Sequence, residues 1–340
     1  MNIFIIGGTR LIGPAIVRRL HEAGHAVTIF HRGETEAELP SDITVIHGDR
    51  ARLKNFKKQI LATNPELVLD MICLTERDAV DLMSVFDGVA RRLVVASSCD
   101  VYRNIELLRG IGETPPDSAR LTEDAPLREE LYPYREYAAD KYDWRYHYDK
   151  ILVEAVVTGG EKLPATVLRL PMVYGPRDYQ HRLYSYIKRM DDKRPAIILE
   201  SPRLDTRWIR GYVENMAAAI VTAVSDERSA NEIYNVGEPE ARTEKDWITA
   251  IGSAIGWTGD VVGVDAERLP DSLRTNMRFE YHLDVNCARF YQELYFTEPV
   301  SFADGLRETI AWERANPPEI KARDYDYAAE DEVLKSTRET

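Results

Sequence analysis

The chain opens Met1-Asn2-Ile3-Phe4-Ile5-Ile6-Gly7-Gly8-Thr9-Arg10-Leu11-Ile12-Gly13-Pro14-Ala15-Ile16, and the reading of this stretch decides the rest. A short apolar run meets two glycines, a polar pair and a third glycine, and a helical spacing of apolar residues follows. A buried strand, a tight turn and the first turn of a helix account for that order. Glycine allows backbone to approach an anion closely, and a helix N-terminus offers unpaired N–H groups and a favourable dipole. Gly7, Thr9, Arg10, Leu11, Ile12 and Gly13 are therefore candidate contacts to a dinucleotide pyrophosphate. An ordinary strand-to-helix turn would use glycines too, so the context must decide. Arg10 stands where the usual pattern has its middle glycine, where its guanidinium can reach phosphate or solvent.

The context is a repeated alternation. Residues 2–6, 26–31, 43–47, 66–71 and 92–97 read as strands, with helices near 11–24, 51–63 and 76–88. Such alternation predicts a Rossmann-type α/β fold, a doubly wound parallel sheet with helices on both faces. Residues 103–142 break the rhythm with charges, tyrosines and prolines (Pro115, Pro116, Pro126, Pro133) and read as a long insertion. A helix is expected over 143–159, a strand over 165–170 and another over 232–237. Helical periodicity marks 181–191, 212–225, 243–256 and 301–315. The expected division is a dinucleotide-binding domain over 1–175, with 205–237 returning to it, and a smaller, mixed substrate domain from 176–204 and 238–316. The charged stretch 317–340 reads as a partly mobile tail.

With 340 residues and 44% hydrophobic content, the chain can bury a large core and exceeds one ordinary domain. A net charge of −13 disfavours nucleic acid and anionic membrane as partners. Three cysteines without paired spacing argue against a disulfide framework and suit a reducing, cytoplasmic setting. No stretch approaches the roughly 20 apolar residues of a membrane span. His21 and His25 lie four apart without a third ligand, so no metal is expected.

In a doubly wound sheet the ligand lies beyond the carboxyl ends of the strands. The second strand ends His31-Arg32-Gly33, without the acid that would accept from a ribose 2′-hydroxyl. Arg32 instead offers a planar cation to a 2′-phosphate, which favours NADP over NAD. Asp49 follows the third strand, placed for the adenine edge. Ser98 and Asp100 follow the fifth. Tyr146 and Lys150, four apart in the expected helix, would share a face, and the ammonium would favour phenolate. Tyr146 then becomes a proton shuttle, Ser98 an orienting donor and Lys150 an electrostatic partner that also holds the nicotinamide ribose. Tyr137 and Lys141 repeat the spacing, but in the proline- and charge-rich segment.

Together these residues resemble the extended short-chain dehydrogenases of the NAD-dependent epimerase/dehydratase family. The likeness rests on the glycine turn, Gly48-Asp49, Ser97-Ser98 with Val101-Tyr102, Tyr146-x-x-x-Lys150-x-x-x-Glu154, Leu168-Arg169-Leu170-Pro171 through Gly175-Pro176, and Ile233-Tyr234-Asn235-Val236-Gly237. It implies oxidation and reduction at a hydroxyl or carbonyl carbon, usually of a nucleoside-diphosphate sugar, by a homodimer. Asp100 stands where dehydratases often carry a catalytic acid residue, and an Asp there can equally cap a turn. Tyr102, Arg207 and Arg210 are the implied substrate contacts, although Met172 and the loosely kept segment 207–214 depart from the sugar-modifying pattern. The Gly-Gly-Thr-Arg opening also resembles a branch that includes chloroplast stem-loop RNA-binding proteins. The leading expectation is a sugar epimerase or dehydratase. An NADPH-dependent carbonyl reductase comes second, and a non-catalytic dinucleotide-sensing or RNA-associated protein third.

Overall fold

Residues 1–35, 37–115 and 119–338 are described by the computed structural model. In chain order its strands are β1 (Asn2–Ile6), β2 (Ala26–His31), β3 (Thr44–His47), β4 (Leu67–Asp70), β5 (Arg92–Ser98), β6 (Ala165–Leu170), β7 (Met172–Tyr174), β8 (Ala196–Glu200), β9 (Arg210–Tyr212), β10 (Ile233–Asn235) and β11 (Asp260–Val264). Its helices are α1 (Gly13–Glu22), α2 (Lys57–Ala62), α3 (Glu76–Phe86), α4 (Asn104–Leu108), α5 (Lys150–Thr158), α6 (Tyr184–Asp191), α7 (Val213–Ser225), α8 (Glu244–Ile255), α9 (Ala288–Glu293), α10 (Phe302–Ala315) and α11 (Tyr327–Arg338).

Seven strands form one parallel sheet in the order β10-β6-β5-β4-β1-β2-β3. The continuous apolar runs of β1, β4 and β5 require cover on both faces, because alternate residues point to opposite sides. Accordingly Ile3, Ile5, Leu69 and Val94 pack with Ile16, Leu20, Met216 and Ile220 of α1 and α7, whereas Phe4, Ile6, Val68 and Val95 pack with Leu82, Phe86, Val153 and Val157 of α3 and α5. Two small parallel pairs, β7 with β9 and β8 with β11, carry the rest of the second half.

Three expectations are revised. The helix expected over 143–159 starts only at Lys150, where Asp149 caps it by accepting from the Ile151 N–H at 2.9 Å. Residues 144–146 make a separate 3-10 turn. The insertion 103–142 is not structureless, since it contains α4 and a 3-10 turn at Arg135–Tyr137; residues 116–118 in it, Pro116 included, lie outside the described residues. The tail holds α11, whose Leu334 joins Ile198, Val264 and Leu269 in a small core. Its Glu330 accepts from Arg189 of α6 at 2.6 Å, with both side chains almost fully buried. A composition poor in aliphatics hid this helix, because ion pairs do much of the docking.

Removing one partner of a buried pair costs about 3–5 kcal/mol, since the other charge stays buried alone. Glu330→Ala should therefore undock α11. Limited trypsin digestion should release the C-terminal segment in that variant and spare it in the unsubstituted protein; equal rates would contradict the packing described.

Candidate active site

The glycine turn lies at the carboxyl end of β1. Gly7 and Gly8 have φ of +97° and +94°, and a Cβ on Gly13 would sit 2.4 Å from the Gly8 carbonyl carbon. Only glycine at position 13 permits that approach. Leu11 holds φ of 40°, a strained value for a branched side chain that tends to persist at ligand-binding turns. Ile12 caps α1 without a side-chain acceptor, Pro14 follows, and the first turn has no acid. Uncapped donors without a competing carboxylate fit an anionic pyrophosphate. Arg10 reaches outward, donating from Nε to Thr35 Oγ1 at 3.1 Å, and Thr9 is half-buried beside it.

Arg32 is exposed and pairs with Glu34 at 2.9 Å, both side chains being more than half accessible. Such a pair is worth little in water, so Arg32 can exchange Glu34 for a phosphate. Exposed Asp49 accepts from the Ala51 N–H at 3.0 Å and caps the 3-10 turn after β3.

From the turn, contact passes to the end of β4. The Gly7 Cα faces Met71 and Ile72, and the nearby carbonyl of Cys73 accepts from Lys150 Nζ at 2.9 Å. Lys150 also donates to the Ala96 carbonyl of β5 at 2.7 Å and is buried. Burial lowers its pKa, and the nearby Cys73, Asp100, Asp70 and Glu154 side chains act in the opposite direction. Two of the three ammonium N–H groups are thus committed to carbonyls.

Ser98 ends β5, and its Oγ accepts from the Asp100 N–H at 3.1 Å. Asp100 is 8% exposed. Its Oδ2 accepts from Tyr148 at 2.7 Å and from Tyr134 at 3.1 Å, while its Oδ1 is buried without a hydrogen-bond partner among the described residues. Burial, reinforced by the Asp100 charge, raises the pKa of both phenols. Cys99, between Ser98 and Asp100, is inert, because burial pushes its thiol up.

Tyr146 lies elsewhere. It precedes α5, so it does not share a helical face with Lys150; its half-buried ring packs on His147 at 4.9 Å and under Arg135 at 4.8 Å. The displaced start of α5 has a visible cause. Asp149 is fully buried and binds Arg128 Nη2 at 2.8 Å, the Tyr132 N–H at 2.7 Å and its own helix. Arg128 in turn donates to the Asp100 carbonyl at 2.8 Å, tying the insertion to the site. Sequence reasoning missed Arg128, Tyr134, Tyr148 and Asp149. The Asp before Lys150-Ile151-Leu152-Val153 is a readable N-cap signal; nothing local marks Arg128.

The expected substrate contacts also separate. Tyr102 is fully buried, donating to Asn235 Oδ1 at 2.6 Å and accepting from Arg169 at 3.0 Å, so it is an internal residue and not a ligand contact. Arg210 is buried, pairs with Glu244 at 2.5 Å and lies over the Trp247 ring at 4.4 Å. Arg207 is exposed and donates to the Ala241 carbonyl at 2.7 Å, which leaves it the more accessible of the two cations.

Comparison with known proteins gives consistent kinship. The chain is 23% identical over 310 residues to the 2′-dehydrokanamycin reductase of Streptomyces kanamyceticus, covering 86% of this chain and 80% of that protein. It is 24% identical over 250 residues to the chloroplast stem-loop binding protein of 41 kDa b of Arabidopsis thaliana, covering 69% and 58%. The solved UDP-glucose 4-epimerase of Thermus thermophilus, in complex with NAD, superposes with a TM-score of 0.67 at 19% identity, covering 93% of this chain and all of that one. The model of the NAD dependent epimerase/dehydratase family matches residues 3–237, and with the glycine turn, Ser98 and Lys150 in one parallel sheet the chain belongs to that family.

Proposed function

We propose that this protein is an NAD(P)-dependent enzyme working at a hydroxyl- or carbonyl-bearing carbon of a sugar, with a nucleoside-diphosphate sugar as the first substrate class. The observation that carries this reading is the placement of Lys150. Its ammonium bridges the segment behind the glycine turn and the end of β5, with one N–H left for a ribose hydroxyl. Gly7, Gly8, Gly13 and the N-terminus of α1 would hold the pyrophosphate. When bound, the dinucleotide supplies the hydride acceptor or donor. Ser98 would orient the substrate oxygen, and Asp100 is the acid–base group beside it. Arg207 is the cation offered to a substrate diphosphate.

A second reading, an NADPH-dependent reductase of a ketosugar, is favoured by Arg32 and by the 2′-dehydrokanamycin reductase, whose similarity runs through most of both chains. The two differ in whether the dinucleotide is retained.

Mass spectrometry of nucleotides released on denaturation separates them: retained NAD+ or NADP+ supports the epimerase or dehydratase reading, and an empty protein that binds added NADPH supports the reductase. A protein that binds neither dinucleotide overturns both. Gly13→Ala should weaken dinucleotide binding by roughly tenfold or more with an unchanged far-UV circular dichroism spectrum, because the added methyl meets backbone where the pyrophosphate turn needs close approach. Arg32→Ala should weaken NADP+ about tenfold, the loss of one charge-assisted contact of about 1.4 kcal/mol, and leave NAD+ within about twofold. With UDP-glucose and dTDP-glucose as probes, Lys150→Met should lower turnover by about 100-fold or more.

A further inference from the structure

The unpaired oxygen of Asp100 points to a division of labour that the Tyr–Lys spacing does not contain. We propose that Asp100 is the proton acceptor and donor for the reacting substrate oxygen, and that Tyr148 and Tyr134 are positioning residues, neutral phenols that fix its carboxylate. This rests on the reading of the site as a hydroxyl–carbonyl centre.

Four features support it. Asp100 Oδ2 takes both phenol protons, which orients the group and leaves Oδ1 as a buried acceptor without a partner among the described residues. A buried acceptor left unpaired costs about 1–3 kcal/mol, so its persistence at the end of β5 marks a place for a donor. The Asp100 backbone N–H is held by Ser98 Oγ, so the orienting hydroxyl and the free oxygen belong to one turn. Finally, Lys150 spends two N–H groups on carbonyls and lies 6.0 Å from the centre of the Tyr148 ring, so it makes no hydrogen bond to that phenol. A phenolate base needs a cation on its oxygen, whereas both phenols here face a carboxylate.

In the oxidative direction the substrate O–H bond breaks and an O–H bond forms on Asp100 Oδ1, while the hydride on the same carbon passes to the nicotinamide dinucleotide. Reduction returns both. Entry requires the Tyr134 and Trp144 rings, packed 5.2 and 5.6 Å from that of Tyr148, to move aside.

The test needs no substrate at first. Protein labelled with 13C at the tyrosine ζ carbon and loaded with NAD+ is titrated from about pH 6 to 10, with signals assigned by their absence in Tyr134→Phe, Tyr146→Phe and Tyr148→Phe. Constant Tyr134 and Tyr148 signals are expected; a signal from any of the three that moves with a midpoint below about pH 9 would overturn the proposal. On whichever nucleotide-sugar probe turns over, Asp100→Asn should lose about 100-fold or more in kcat with KM little changed. Tyr146→Phe, a half-exposed substitution that threatens no packing, should stay within about threefold. A 100-fold loss in Tyr146→Phe, or retained turnover in Asp100→Asn, sinks the idea even if Tyr148→Phe fails to fold. Absence of turnover on every probe would count against the function proposed above and leaves the titration to decide the proton's carrier.

Discussion

A guanidinium buried inside the parallel sheet governs much of this structure. Arg169, near the end of β6, is 3% exposed, and taking such a charge out of water costs several kcal/mol unless geometry and partners compensate. The partners come from far apart in sequence. Glu154 of α5 takes Nη2 at 2.8 Å and Nε at 3.1 Å, Tyr102 and the Glu123 carbonyl take Nη1, Ser97 donates to Glu154 at 2.5 Å, and Tyr102 passes its own proton to Asn235 of β10. One charge therefore fixes how β5, α5, β6 and β10 meet. Lys150, four residues before Glu154 on the same helix, is aimed between β4 and β5 as a consequence.

The same network explains why several family motifs proved structural. Glu154, Arg169, Tyr102 and Asn235 stand out in the sequence as pieces of a likeness to known enzymes, and the chemistry of Tyr102 suggests a ligand contact. Their common location is internal, and their shared task is satisfying one another. The ligand-facing groups are those left with capacity to spare, namely the glycine-turn donors, the third Lys150 proton and Asp100 Oδ1.

How much was legible follows from which forces leave a local trace. Residues 2–6, 26–31 and 165–170 coincide with β1, β2 and β6, because a strand covered on both faces must be apolar at nearly every position and a tight turn must contain glycine. The short β7, β9 and β11 carry too few residues for a period to emerge, and their pairing is decided by the packing around them. α11 was hidden because Arg189 and Arg194, its anchors, lie in another part of the chain. The position of Tyr146 escapes the sequence for a related reason. A spacing of four reads as helical, yet Asp149, engaged by Arg128 and Tyr132, is a stronger helix start than the aromatic residues before it are helix formers.

That start position has a chemical consequence. Had α5 begun before residue 146, the phenol one turn ahead of Lys150 would have faced the ammonium and been biased toward phenolate. Because Asp149 caps the helix, the chain just before it is not helical, and the aromatic side chain delivered into the site is Tyr148, beside Asp100 instead of Lys150. A phenol beside a carboxylate keeps its proton, and a carboxylate that accepts two such protons is held in one orientation with its second oxygen facing the site's interior. The insertion that supplies Arg128, Tyr132 and Tyr134 thus does more than cover the strand ends: by fixing where one helix begins, it selects which acidic group stands next to the substrate oxygen.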